Sequence, residues 1–199
     1  MNAKRNKNMD SLDLKGHCLI AMPGMSDPRF AKTVVLITSH DAEGSMGFIL
    51  NQPVSTPTYD DILEELGLDG ERKMVRMLAR DVPVFRGGPV EQGRGFVLHT
   101  LDFASSNTMR LQNLAGLTAT LDALKVLAAP LAPQRSHLFL GYAGWSAGQL
   151  EREIAENGWL TVQATPDLLF ETRTELQYDA ALGLLGISSA SLSGSAGHA

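Results

Sequence analysis

The chain has 199 residues, 44% of them hydrophobic and 20% charged, with a formal net charge of −5. That length suits one domain with a core of ordinary size, and the composition excludes a disordered chain. The acidic balance speaks against a large nucleic-acid surface, which needs a basic face.

Residues 1–10 (MNAKRNKNMD) read as a flexible polar arm, with one domain over 11–199. No apolar stretch of signal-peptide length follows the arm, and the longest apolar runs fall well short of the ~20 residues of a membrane span. The single cysteine, Cys18, has no partner for an intrachain disulfide. The expected location is therefore the cytoplasm, with no membrane contact.

In chain order, Gly16–Met22 is an apolar run closed by Pro23, as a strand leaving a sheet would be. Thr33–Ser39 is β-branched, and Phe48–Asn51 follows a loop holding Gly44 and Gly47, which reads as a hairpin. Residues 58–67 form a helix: Tyr59, Ile62, Leu63 and Leu66 share one face, Thr58 and Asp61 make a capping box, and Gly67 stops it. Residues 69–81 read as either a loop or a short helix.

Val82–Phe85 and Gly95–Thr100 are expected strands around the loop RGGPVEQGRG. A second helix covers Leu121–Ala128, and Ser136–Tyr142 is the next strand. The third helix begins at the S-x-x-Q of Ser146 and Gln149 and ends at Asn157-Gly158. Trp159–Ala164 is a strand, and Thr165-Pro166 opens a turn or short helix. A last helix runs from Thr174 to near Gly186, and a Ser/Gly/Ala-rich tail of flexible composition follows. Paired strands beside alternating helices make the fold class α+β, without an internal repeat.

Gly144-Trp145-Ser146-Ala147-Gly148 is a literal G-x-S-x-G between an expected strand and helix, the setting of a nucleophile elbow. The one histidine after it is His198. A helix cap accounts for Ser146 without catalysis, at about 1 kcal/mol, and that reading is preferred. Arg86-Gly87-Gly88-Pro89 and Gly93-Arg94-Gly95 could turn N–H groups and a guanidinium to an anion, with Arg86 as the first choice of ligand contact. Tight turns requiring positive φ are the simpler explanation of these glycines.

His40, Asp41 and Glu43 cluster in the hairpin loop, but no metal-ligand spacing is present, and neither metal nor cofactor is expected. Cys18 on an apolar strand behaves as a small hydrophobe. Trp145 and Trp159 read as core anchors, and Arg72, Lys73, Arg76 and Arg80 as a solvated face.

Taken in series, IAMPGMSDPRF (20–30), VVLITSHDAEGSMGFILNQP (34–53), FRGGPVEQGRGFVLHT (85–100), LGYAGWSAGQLEREIAENGWL (140–160) and the terminal AGHA resemble the AlgH/YqgE family of bacterial proteins. The resemblance runs from about Leu14 to Ala199. It implies a mixed, mostly antiparallel, branched sheet curled into a pseudo-barrel with helices packed outside. It also implies a largely uncharacterised protein with a named role in transcriptional control. Four positions depart from the family pattern. Gln52 replaces a basic residue, Thr38 a frequent cysteine and Tyr178 a usual tryptophan, while Ser146 stands where the pattern asks for no serine. Because His198 belongs to the pattern, the tail is expected to dock on the domain.

The leading expectation is a cytosolic ligand- or partner-binding protein that affects transcription indirectly. Its surface is expected where the Asn51-Gln52-Pro53 turn, the Arg86-Gly87-Gly88 loop and the turn containing Tyr142 and Trp145 converge, with His40 nearby. Two alternatives stand beside it: a hydrolase using Ser146 or a polar site at His40 and His99, and a direct DNA-binding regulator, which the acidic charge disfavours.

Overall fold

The fold is that of a computed structural model describing residues 13–78, 82–119, 121–128 and 132–192. The polar arm at 1–10, Arg80 and the tail with His198 lie outside the described residues.

Among the described residues, nine strands build one mixed sheet: β1 (His17–Ala21), β2 (Val34–Asp41), β3 (Gly44–Ile49), β4 (Val84–Arg86), β5 (Val90–His99), β6 (Thr108–Leu111), β7 (Ala115–Thr118), β8 (Ser136–Ser146) and β9 (Trp159–Gln163). Their order is β6-β7-β5-β8-β3-β2-β1-β9, and β4 also pairs with β8. All pairings are antiparallel except β4 with β8. The sheet curls into a half-barrel.

The branch lies on β8. Its first half pairs with β5 on one edge and β4 on the other, through Leu138, Phe139 and Leu140. Its second half, Ala143–Ser146, pairs with β3 instead. Gly141 sits between the halves at φ +70°, where a Cβ would come within 2.8 Å of the carbonyl oxygens of Val90 and Gly88. A residue with a side chain would be both strained and blocked there.

Among the described residues, six α-helices accompany the sheet: α1 (Tyr59–Glu65), α2 (Asp69–Met77), α3 (Leu121–Ala128), α4 (Gln149–Ala155), α5 (Gln177–Leu184) and α6 (Ser189–Leu192). The alternation of β1 and β2 explains their unbroken apolar runs. Cys18, Ile20, Val34 and Leu36 face one cluster, with Phe48, Phe96, Phe139 and residues of α5. Leu19, Val35 and Ile37 face the other, with Trp145, Leu150 and Trp159. Strands covered on both faces need apolar residues at every position. A third cluster seats α1 and α3 on Val84, Val97 and Leu138.

The α1 capping box forms as expected: Asp61 N–H donates to the Thr58 hydroxyl, and Thr58 N–H donates to the Asp61 carboxylate at 2.8 Å. Between 69 and 77 the chain is helical. Other expectations need correction. The loop around Gly44 and Gly47 is mostly strand, because Gly47 lies where a Cβ would be 2.6 Å from the Leu36 carbonyl oxygen, so only glycine fits the pairing. Part of the expected glycine-rich loop extends β5 back to Val90 across an irregularity in register. β6 and β7 carry no sequence signal strong enough to have been expected. A 3-10 turn at Thr174–Leu176 precedes α5, so Thr174 caps nothing. The tail begins with helix α6 rather than flexible chain, and Ile187 and Leu192 pack on the core.

Candidate functional site

Three connections meet beside the C-terminal end of β8. The β1–β2 connection makes a 3-10 turn at Pro28–Phe30, capped by Asp27, whose carboxylate accepts from Arg29 N–H at 3.0 Å. The same carboxylate takes the Arg29 guanidinium at 2.6 and 3.0 Å, which holds its pKa below the usual carboxylate range. The β4–β5 connection supplies Pro89, followed by Val90 at the start of β5, and the end of β8 with α4 and the start of β9 supplies the third wall. Between them lies a cleft of about 810 Å³.

Phe30, Trp145 and Trp159 make its aromatic wall, their ring centroids 5.6–6.4 Å apart. Both indoles turn their N–H to a single acceptor. Trp145 Nε1 donates to Glu153 Oε2 at 2.9 Å, Trp159 Nε1 donates to the same oxygen at 2.8 Å, and Gln149 Nε2 donates to Oε1 at 2.8 Å. Gln149 and Glu153 are one helical turn apart on α4, which puts both carbonyl-bearing groups on the face that looks at the tryptophans. The Trp-x-x-x-Gln-x-x-x-Glu spacing is the sequence signal that could have pointed to Glu153; Phe30 and Asp27 had none.

A shallower depression of about 430 Å³ adjoins the cleft and shares Val90, Gly144 and Trp145 with it. Tyr142 lines this depression, with its ring edge-on to Phe96 and its hydroxyl 3.3 Å from Glu91 Oε1.

The Asn51, Arg86–Gly88 and Tyr142 segments do meet, through their backbones. Arg86 N–H donates to the Gln52 carbonyl, Gly87 N–H to that of Leu140, and Ile49 N–H to that of Gly87. The roles differ from those expected. Asn51 is a brace: its Oδ1 accepts from Val34 N–H and its Nδ2 donates to the Lys32 carbonyl. Gly87 and Gly88 do not have positive φ. They are glycines because a Cβ would lie 2.2 Å from the Gly141 oxygen and 2.1 Å from the Tyr142 carbonyl carbon, respectively. With its N–H already bonded, Gly87 does not cradle an anion. The Arg86 side chain is exposed, without a hydrogen-bond or ion-pair partner among the described residues, and it lies outside the cleft lining.

The serine elbow is not built. Ser146 is the last residue of β8, and α4 starts after Gly148 at φ +69° with no side-chain cap. The Ser146 hydroxyl donates to Gln149 Oε1 at 3.1 Å and its N–H goes to the same oxygen. The expected cap is therefore corrected: pairing of Ser146 with Gly44 keeps its backbone in the sheet.

His40 and His99 do not share a site. His40 is on β2, with Nδ1 2.7 Å from Ser45 Oγ across the hairpin and Nε2 3.7 Å from Glu151. Ser45 is buried, which leaves its hydroxyl little access to a substrate. His99 ends β5 in a separate network: Nδ1 donates to the Thr100 carbonyl at 2.9 Å, so Nε2 accepts from the Thr118 hydroxyl, which in turn meets Thr108. Burial depresses the His99 pKa below the usual histidine range. Burial likewise pushes the Cys18 thiol up to about 12, which leaves it inert. No group of three or more His, Cys, Asp or Glu side chains converges among the described residues, and no helix there is long and apolar enough to cross a membrane.

The AlgH-like family model matches residues 18–190 of this curled, branched half-barrel. The chain belongs to that family. It is 47% identical over 186 residues to a UPF0301 protein of Rhodospirillum rubrum, covering 94% of each chain. It is 45% identical over 186 residues to one of Rhizobium etli, covering 92% of each. The solution structure of AlgH from Pseudomonas aeruginosa superposes with a TM-score of 0.75 at 37% identity, covering 99% of this chain and 100% of that one.

Proposed function

We propose that this is a cytosolic small-ligand-binding protein whose site is the cleft walled by Trp145, Trp159 and Phe30. Any influence on transcription would pass through a partner that senses the bound state. One observation carries the reading: every residue lining the cleft comes from three of the segments on which the family resemblance rests, 20–30, 85–100 and 140–160. Segments far apart in sequence supply one concave surface with an apolar wall and a few fixed polar groups, the usual composition of a ligand site.

Both tryptophans of the chain stand in the wall, so intrinsic emission responds to changes at this cleft. A metabolite library screened by melting temperature and emission should yield a compound that changes both. At about 100 times its Kd it should add roughly 2.7 kcal/mol. Gly24 lines the cleft, and an added Cβ there meets nothing within 4 Å, so Gly24→Phe should fill the space and abolish both responses while the protein stays folded. A stabilising compound that leaves emission unchanged would place the site elsewhere and overturn the proposal.

A further inference from the structure

We infer that the cleft takes a ligand with a positively charged nitrogen on an apolar body, such as a substituted ammonium. This rests on the cleft being the binding site, and it assigns the ligand class from the charge and surface of the lining.

Among the described residues, four acidic or basic side chains line the cleft: Asp27, Arg29, Glu153 and Glu156. Arg29 is the one cation among the described lining residues, and Asp27 already neutralises it through a bidentate contact. Glu153 and Glu156 remain. The Glu153 carboxylate is held by three N–H groups from neutral side chains and has no cationic partner among the described residues. A carboxylate offers about four acceptor positions, so Oε1, which holds one donor, keeps one open. Glu156 is exposed, and its carboxylate has no partner among the described residues. The lining therefore carries two carboxylates that no cation among the described residues offsets.

The remaining surface suits the same ligand. Aromatic rings present a negative face that attracts cations, most effectively ammonium groups stripped of water. Phe30, half-buried, supplies a ring in the lining together with the more deeply buried Trp145 and Trp159, and Met22 and Met25 add polarizable thioethers. An anionic ligand would meet two carboxylates without a cationic partner, and no free cation among the described lining residues. The exposed Arg86, first choice of the sequence for an anion, lies outside it.

The test titrates the full-length protein with benzyltrimethylammonium and, as an anion of similar size, benzenesulfonate, followed by tryptophan emission. The cation should give a saturable change that Gly24→Phe abolishes, with Kd raised about fivefold by Glu156→Gln and further by salt near 0.5 M. Glu156 has no structural contact to lose, so a folded variant is expected, and Glu153→Gln, which keeps an acceptor for the indoles, serves as the second. Equal or tighter binding of benzenesulfonate would overturn the inference, as would Kd values unchanged in both variants. So would the absence of a saturable response to the cation below about 10 mM. A neutral or anionic library compound that alters emission and is blocked by Gly24→Phe would sink the charge assignment and leave the cleft as the binding site.

Discussion

Trp159 Nε1, at the start of β9, donates to Glu153 Oε2 on α4 at 2.8 Å, and Trp145 of β8 donates to the same oxygen. One carboxylate thereby joins two strands that do not pair with each other, and it fixes the aromatic wall of the cleft.

Glu153→Ala would leave two enclosed indole N–H groups without an acceptor. The expected loss is about 2–4 kcal/mol, a fall in melting temperature of roughly 5–15 °C for a chain of this size. Glu153→Gln should lose less than half of that. Chemical denaturation of both variants, followed by tryptophan emission, measures the difference; equal losses would show that the indole bonds do not matter.

Gly88→Ala puts a Cβ 2.1 Å from the Tyr142 carbonyl carbon, against backbone that the β8 pairings hold in place. Destabilisation of about 3 kcal/mol is expected. Arg86→Ala, two residues away and exposed, should stay within about 0.5 kcal/mol of the parent. Urea unfolding of the pair checks whether this loop is built for packing.

The two serine/threonine cap signals of the sequence should separate experimentally. Thr58→Ala removes an observed capping box and is expected to cost about 1 kcal/mol. Ser146→Ala removes only an exposed hydroxyl contact to Gln149, so a change within about 0.5 kcal/mol is expected. A larger loss for Ser146→Ala would return that serine to the helix start.

Acid should weaken the fold through His137. Its ring packs against Phe85, Phe139 and Phe170, and burial pushes its pKa down to about 4 from 6.5. Above pH 6.5 the ring is neutral both folded and unfolded, and nothing is lost. As pH falls from 6.5 towards 4, the unfolded chain takes up a proton that the folded chain refuses, so stability declines. The full difference corresponds to roughly 3 kcal/mol. Urea midpoints between pH 7 and pH 4.5 should fall in the parent and fall less in His137→Phe, where no proton can bind.

The legible features were local ones. The capping box of α1 lies within four residues, and its hydrogen bonds form as the spacing demands. The apolar runs of β1 and β2 showed themselves because both faces of those strands are covered. β6 and β7 are four residues each, too short for an alternating pattern to stand out. Trp145 was legible as a buried anchor, whereas Glu153 was not, because a glutamate on a helix face looks the same whether it meets solvent or two indoles.

The sequence by itself determined the α+β class, most of the strands and helices, and membership of the AlgH-like family, since each is written in residue order. The tertiary structure alone decided that Ser146 belongs to a strand, that Gly87 and Gly88 serve close packing, and that residues 22–30, 89–90 and 144–159 share one cleft. The physical reason is that strand pairing and burial act between segments far apart in the chain. The pairing of Ser146 with Gly44 across the sheet overrides a local helix signal, and the field felt by Glu153 is set by neighbours that local spacing does not encode.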